Sequence, residues 1–567
     1  MPLPWSNLLP PFPRTSGAMQ VCLGLLLLAL WALATRFPLP IDETRYLTVA
    51  WEMWNRGDFL VPYLNGEPYS HKPPLLFWLI HAGWAVGGVG DFWPRALPAL
   101  LAAGLVWTVR SHARGCWPAH PGIAGVAPLL LGGSAFFLIF STFIMFDLLL
   151  ALCVALAARA CWQMGEGAKP WRAALAMGLW TGLGVLAKGP VVLAFMVPLW
   201  LSGPWWHRSP RARGRRWWAQ VGLALLVAVA VALVWALPAA ASGGALYADA
   251  LLFKQTSGRV VHSFAHQRPF WYYAVFLPLL WLPWSLWPRA WQAMRAVVQV
   301  RDAASRFLWV WALGPVLVLS IVSGKQPQYL LPVLAPGALL LARGFSLTEP
   351  RTAQDRGAVL PGLLGVGLGL VMLVGAFGFG PLPPADPFSA WHRGWLADTS
   401  WLLALATLGL GALLPFMLRR PWPEAIAAVQ NGVVLMVALL LHSLLHSAAG
   451  KTFDVRPLAS HVRLLQQDGH TVAFWGDYHG QLGFTGRLLR PVPELLGATA
   501  GPDLQQLALR EPGAYVLLEG RGVPPTGAVE VAPYRRKWWA LLPVNIAATT
   551  LPLAAQPPPV ADSGVEP

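Results

Sequence analysis

Two short stretches near the start of this chain gather the residue types that handle anions and protons. Asp42-Glu43-Thr44-Arg45-Tyr46 sets two carboxylates beside a guanidinium. Leu64-Asn65-Gly66-Glu67-Pro68-Tyr69-Ser70-His71-Lys72-Pro73-Pro74 follows it. Asn65-Gly66 favours a turn and the paired prolines stiffen the chain, so a rigid loop presents Lys72. Arginine grips phosphate oxygens bidentately, and lysine serves as a mobile point charge. Toward an acceptor hydroxyl Asp42 is the first choice of base; an acceptor already ionised would leave it to position or stabilise. Solvated loop acids and an interfacial belt of Trp51 and Trp54 account for the first stretch equally well, and the following stretch decides for chemistry.

Further charges recur in apolar surroundings. Asp147 lies in Phe143-Ile144-Met145-Phe146-Asp147-Leu148 at the end of an expected span, where an ionisable group is costly and is a functional candidate, with helix capping as the alternative. Lys188 in Gly184-Val185-Leu186-Ala187-Lys188-Gly189-Pro190 either approaches a phosphate or ends a helix. Lys325 and Tyr329 in Ser323-Gly324-Lys325-Gln326-Pro327-Gln328-Tyr329 add charge and a hydroxyl, or anchor the interface. Lys254, Arg259, His262, His266 and Arg268 crowd another loop; His262 and His266 are four apart, suiting one helix face. With His71 they are the candidates for a divalent metal, against a polar lid face, because spacing fixes no third ligand. His442 and His446 share that spacing, where packing is favoured. Asp477, Tyr478 and His479 are read as surface residues ahead of acceptor contacts.

The elements that must hold these residues are membrane spans. The 567 residues are 56% hydrophobic and 12% charged, far below the charged fraction of about 25% usual in soluble domains. Apolar windows long enough to cross a bilayer fall near 17–37, 94–111, 122–141, 145–163, 171–187, 189–204, 217–239, 271–289, 306–323, 328–345, 357–379, 400–418 and 424–446. Alternate loops carry the arginines, among them Arg208, Arg211, Arg213, Arg215 and Arg216. The net charge of +16 is therefore largely an orientation signal with the N-terminus cytoplasmic, and nucleic acid is not an expected partner. The expected organisation is a membrane domain over 1–447 with outer loops 36–95, 240–270 and 380–400, the first running amphipathically along the membrane face. Alternating Thr471–Phe474 and Ala514–Leu518 with helix-like Leu504–Arg510 predict a small outer α/β domain over 448–555, and 556–567 reads as a disordered tail. The first span is read as an uncleaved anchor despite Ala32-Leu33-Ala34. Four cysteines in spans or inner loops supply no disulfide framework, and 32 tryptophans are what interfacial belts require.

Taken in order, the Asp42–Tyr46, Asn65–Pro74 and Gly184–Pro190 motifs resemble the bacterial 4-amino-4-deoxy-L-arabinose transferase family and its protein-mannosyltransferase relatives, GT-C glycosyltransferases of the inner membrane. The resemblance implies a polytopic α-helical fold of about thirteen spans with a terminal outer domain, and an inverting transfer from a polyprenyl-phosphate sugar to lipid A or another envelope glycan or protein. It implies Asp42 as the first-loop carboxylate and Asp147 as a second acid. Arg45, Tyr69 and Lys72 become donor-phosphate ligands supported by Lys188, Lys325 and Tyr329, while Glu43, Tyr46, His71, His262 and His266 line the substrate loops. The family usually has Glu where this chain has His71, which bears on a divalent metal as cofactor. Such a transfer develops negative charge on the departing phosphate and positive charge on the sugar, so cations must meet one and carboxylates the other. The alternatives are another sugar, mannose-like, passed to a hydroxyl, and a transporter or lipid flippase.

Overall fold

Apolar composition becomes helix almost throughout, since backbone groups in a bilayer must bond within their own segment. The computed structural model describes residues 17–207, 209, 214–251, 268–348, 357, 359–376, 401–417, 423–445, 450–535 and 537–551. Lys254, Arg259, His262, His266, His446, the 380–400 loop and the expected tail lie outside the described residues. Eight described helices are long and apolar enough to cross a membrane: Gly17–Thr35, Phe92–Cys116, Phe146–Glu166, Pro170–Leu201, Arg215–Ser242, Ala303–Ile321, Pro327–Leu347 and Ala425–Leu444. The chain is thus a multi-pass membrane protein. Other expected spans are interrupted. The 122–141 window divides into Pro121–Gly132 and Ala135–Phe140, the second capped by Ser134, whose Oγ accepts from Phe137 N. The 271–289 window divides into Tyr272–Leu280, a short 3-10 turn and Pro288–Gln299, with prolines 278, 283 and 288 removing backbone donors.

The elements that position the charged residues come first in the chain: α1 (Gly17–Thr35), α2 (Asp42–Arg56), α3 (Leu75–Gly87), α4 (Phe92–Cys116), α5 (Pro121–Gly132), α6 (Ala135–Phe140), α7 (Phe146–Glu166) and α8 (Pro170–Lys188). Helix α3 is an apolar segment within the expected outer loop, short of the roughly 20 residues a span needs. Helices α7 and α8 form an antiparallel hairpin around Gly167, whose φ of +79° suits glycine. A Cβ on Gly178 would come within 2.5 Å of Ala224 O, and one on Gly182 within 2.6 Å of Val231 Cβ. These two glycines, four residues apart, let α8 pack backbone-close on Arg215–Ser242 and fix the end that carries Lys188.

Between β1 (Tyr63–Leu64) and β2 (Glu67–Pro68), Asn65 and Gly66 take φ of +55° and +87°, the left-handed pair that a two-residue hairpin requires. Glu52 of α2 accepts from both turn amides, Asn65 N at 2.6 Å and Gly66 N at 2.9 Å. Burial pushes the Glu52 carboxyl up from its ordinary range, while those amides pull it back.

The C-terminal domain has a sheet of order β4-β3-β5-β7-β6, built from β3 (Val472–Trp475), β4 (Glu494–Leu495), β5 (Tyr515–Gly520), β6 (Glu530–Tyr534) and β7 (Lys537–Pro543). Strands β4 and β5 flank β3 in parallel; β7 is antiparallel to both β5 and β6. Phe474, Leu517, Trp539 and Leu541 pack under helix Arg456–Gln467, whereas Ala473, Val516, Ala540 and Leu542 pack under Ala500–Arg510 and Val544–Thr550. Both sheet faces are covered, so β3 is buried at every position.

This domain sits on α2. Thr48 Oγ1 donates to Gly480 O at 2.6 Å and accepts from Phe484 N at 2.9 Å, and Trp51 Nε1 donates to Leu488 O. The Asn65 side chain bonds both backbone groups of Val492, at 2.8 and 2.7 Å, as a neighbouring strand would. Trp84 of α3 stacks on Phe484 at 5.5 Å. Within this amphipathic first loop, Trp51 is engaged in the domain joint and Trp54 against Trp84, His81 and Phe59.

The start of α2 is held from below by a buried ion pair. Arg36 meets Glu43 through both guanidinium ends, and the side chains are 1% and 3% exposed. Glu43 also accepts from Leu39 N at 2.9 Å and Ile144 N at 2.8 Å, while Arg36 donates to Thr142 O. Arg95 of α4 donates to the carbonyls of Ala32 and Arg36. Glu43→Gln would leave Arg36 buried without its counter-charge, a change worth about 3–5 kcal/mol. The full chain in detergent should show a clearly lowered unfolding midpoint by tryptophan fluorescence; an unchanged midpoint would refute the clamp.

Candidate active site

Helix α2 presents Asp42 and Arg45 on adjacent turns of one face, where Arg45 Nη2 bonds Asp42 Oδ1 at 2.5 Å. The Asp42 side chain is 39% exposed and that of Arg45 16%, so the acid is the open partner. Arg45 also interacts electrostatically with Tyr69 and Tyr46. The Lys72 ammonium lies 6.0 Å from the Tyr46 ring centre and 5.8 Å from that of Phe146, and Tyr46 meets Phe146 edge-on at 4.9 Å. The stiff loop after the hairpin thus brings Tyr69 and Lys72 to Asp42, Arg45 and Tyr46, as the ordered motifs anticipate. Exposed His71 rests against Tyr69 with ring centres 5.1 Å apart.

A second cluster stands in the membrane domain. Asp147 in the first turn of α7 and Lys188 in the last turn of α8 form an ion pair, each where the helix dipole favours its charge. The Lys188 ammonium lies 4.3 Å from the Tyr329 ring centre. Tyr46 feels both Asp42 and Asp147 and so joins the clusters. Asp147 is 3% exposed. It is therefore neither a capping residue at the surface nor a lone buried acid, and Lys188 does more than end a helix.

Two expectations change. Glu43 is buried in the Arg36 clamp and does not line a substrate loop, because four donors already surround its oxygens. Lys325 is 3% exposed and donates to Arg268 O at 2.9 Å and Val322 O at 2.5 Å. It ties the 322–326 link to Arg268, whose N donates to Ser323 O, and so holds the link instead of presenting charge to a donor. Burial lowers its ammonium from the ordinary lysine value. Among the described residues no group of three or more His, Cys, Asp or Glu is placed to hold a metal ion.

Sequence reading missed Arg36, Thr48 and Glu52, which position the site without facing it. It also ranked His479 and Asp477 as surface residues, yet the His479 Nδ1 stands 3.5 Å from Asp477 Oδ1 with side chains only 20% and 31% exposed. His479 interacts electrostatically with Arg45 and Asp42 across the domain joint. Of the two clusters, Asp147–Lys188 admits a direct stability test. Lys188→Met alone should destabilise the chain by about 3–5 kcal/mol, and adding Asp147→Asn should restore much of that loss. Additive losses in thermal unfolding of the two single variants and the double variant would show that the residues act independently.

Comparison with known proteins places the family and the fold. Residues 71–238 match the model of the dolichyl-phosphate-mannose-protein mannosyltransferase family. An undecaprenyl phosphate-α-4-amino-4-deoxy-L-arabinose arabinosyl transferase of Pseudomonas fluorescens is 30% identical, over 86% of this chain and 87% of its own. Its namesake in Edwardsiella ictaluri is 30% identical over 70% and 72%. The crystal structure of ArnT from Cupriavidus metallidurans bound to undecaprenyl phosphate superposes with a TM-score of 0.70 at 19% identity, covering 92% of this chain and 97% of that one. The fold is thus the GT-C-like helical scaffold with a small C-terminal α/β domain that the motifs implied. Identity over most of both chains, on that shared scaffold, makes this chain a member of the undecaprenyl phosphate-4-amino-4-deoxy-L-arabinose arabinosyl transferase family of glycosyltransferases.

Proposed function

We propose that this glycosyltransferase moves 4-amino-4-deoxy-L-arabinose from undecaprenyl phosphate to lipid A, with inversion at the sugar carbon, on the periplasmic side of the bacterial inner membrane. The observation that carries the site assignment is the convergence of Asp42, Arg45, Tyr69 and Lys72 on one face of α2 and its following loop. The relatives' printed names supply the sugar and carrier. Alternation of arginine-rich loops supports a cytoplasmic N-terminus, which puts α2 and the C-terminal domain outside.

In this reading Arg45 and Lys72 hold the donor phosphate. The guanidinium fork takes two oxygens and the ammonium a third, so charge is met as it grows on the leaving group. Tyr69 sits beside Arg45 and is placed to hydrogen-bond the same phosphate. Asp42 faces the opposite charge, the positive character that develops on the sugar carbon as its bond to phosphate breaks. A lipid A phosphate attacks already ionised and needs no base; a hydroxyl acceptor would give its proton to Asp42. Asp147 and Lys188 form the deeper wall, with Tyr329 over the ammonium.

The test is transfer of labelled aminoarabinose from its undecaprenyl phosphate to lipid A by the purified full chain in detergent. Lys72→Ala should cost about 100- to 1,000-fold in turnover, the loss typical of one stabilising donor to a developing anion. Asp42→Asn should reduce turnover by about 100-fold or more while leaving undecaprenyl phosphate binding intact, because it also releases Arg45 from its carboxylate. Unchanged turnover in both folded variants would overturn the site. Transfer to a protein or glycan hydroxyl but not to lipid A would keep the site and replace the acceptor.

A further inference from the structure

The two sides of α2 divide the site. At 3.6 residues per turn, Tyr46 and Thr48 point about 200° apart, with Asp42 and Arg45 on the arc between them. Tyr46 packs on Phe146 in the membrane domain, and Thr48 is bonded to Gly480 and Phe484 of the C-terminal domain. Asp42 and Arg45 therefore lie between two banks, with Lys72, Phe146 and the Asp147–Lys188 pair on one. The Asp477–Gly480 turn forms the other bank, and the turn cannot drift. A Cβ on Gly480 would meet Leu64 Cδ1 at 2.5 Å, its φ is +75°, and its carbonyl is held by Thr48. Tyr478 is buried under it and its hydroxyl accepts from Leu482 N. His479, between these two anchored residues, is thereby held near enough to α2 to interact electrostatically with Arg45 and Asp42.

A donor whose phosphate carries a polyprenyl chain reaches Asp42 and Arg45 from the membrane bank. Inversion requires the acceptor to attack the sugar carbon from the side opposite the leaving phosphate. The acceptor must then lie against the bank formed by the C-terminal domain. We propose that His479, oriented by Asp477, is the residue on that bank that binds the acceptor and sets its specificity.

The chemistry fits a hydrogen-bonding role. The Asp477 carboxylate beside Nδ1 favours the tautomer with the proton on Nδ1, leaving the Nε2 lone pair for an acceptor O–H. Burial lowers the His479 imidazole below its ordinary value, against Asp477, which raises it. Arg45 lowers it further, while Glu519 and Asp42 raise it. The net shift is downward, so the neutral ring with Nε2 unprotonated is favoured, and acidification takes that lone pair away.

The inference rests on the reading of the chain as a transferase from a lipid-phosphate donor, and steady-state kinetics separates the two. With undecaprenyl-phosphate aminoarabinose and lipid A, His479→Ala and Asp477→Asn should raise the acceptor KM about three- to tenfold, the worth of one hydrogen bond, and leave the donor KM unchanged. The fall in acceptor kcat/KM on acidification, as the ring takes up a proton at Nε2, should disappear in His479→Gln. Trp51→Phe, which removes a hydrogen bond of the same domain joint to Leu488 O and leaves the Asp477–Gly480 turn untouched, should leave the acceptor KM near wild type. Wild-type transfer with an unmoved acceptor KM in His479→Ala overturns this inference alone, as does an equal rise in both KM values or the same rise in Trp51→Phe. Absence of any wild-type transfer overturns the functional reading and this inference with it.

Discussion

The Arg36–Glu43 pair is the constraint on which the site depends. Two ions almost fully out of water are tolerated only when most of the remaining hydrogen-bonding capacity is used, and here Glu43 takes four donors and Arg36 also reaches Phe37 O and Thr142 O, with only its Nε left without a partner. The pair joins three pieces of chain, the end of α1, the start of α2 and the residues that lead into α7. Its immediate neighbours do the work. Asp42 precedes Glu43 and Arg45 follows by two, while Asp147 lies three residues beyond Ile144, whose amide Glu43 holds. The same carboxylate thus sets the position of both acids.

Above that clamp, α2 is an element shared between two bodies. Its buried residues include Tyr46, Leu47, Thr48, Val49, Ala50 and Met53, which cover most of its circumference, so the helix owes its place to packing on both sides. The hairpin adds a second tie to the C-terminal domain. Glu52 fixes the turn amides from within α2, and Asn65 then bonds Val492 outward, so one left-handed turn couples the helix, the lysine-bearing loop and the sheet edge at β4. Rigidity of this kind suits a site whose cations must be in place before the leaving group acquires charge.

Much of this was legible in the residues. Apolar run length locates the helices, alternation locates β3 and β5, and Asn65-Gly66 announces its turn because few pairs accept positive φ twice. Asp42, Arg45, Tyr69 and Lys72 were picked out together as an ordered set of charges and a tyrosine, and the fold brings them together. What escaped has a physical reason in each case. Arg36 and Glu43 pair across a non-helical segment, where no spacing rule operates. Lys325 belongs to a charge-bearing motif, yet its ammonium is consumed by carbonyls that only the tertiary fold brings near. The β6–β7 hairpin turns at Arg535 with φ +55°, a conformation carrying none of the glycine or asparagine that would mark it. His479 looked like surface because the surface it lies on is covered by a helix more than 400 residues earlier.

The charges also explain how an unliganded site of this kind stays folded. Arg45 is matched by Asp42 and Lys188 by Asp147, so no strong repulsion builds between cations set to receive one phosphate. An arriving phosphate then competes for Arg45 with a carboxylate that is the more exposed member of its pair and can turn toward the sugar without being desolvated further. The Asp147–Lys188 pair is different: both side chains are nearly closed off, and exchanging that carboxylate for phosphate would strand a buried anion. On the proposed reading the two pairs therefore divide the labour. The open pair exchanges partners during turnover, and the closed pair holds the deeper wall at constant charge. On that reading the asymmetry in exposure, set by where α2 and α7 begin, assigns Asp42 rather than Asp147 to the reacting carbon.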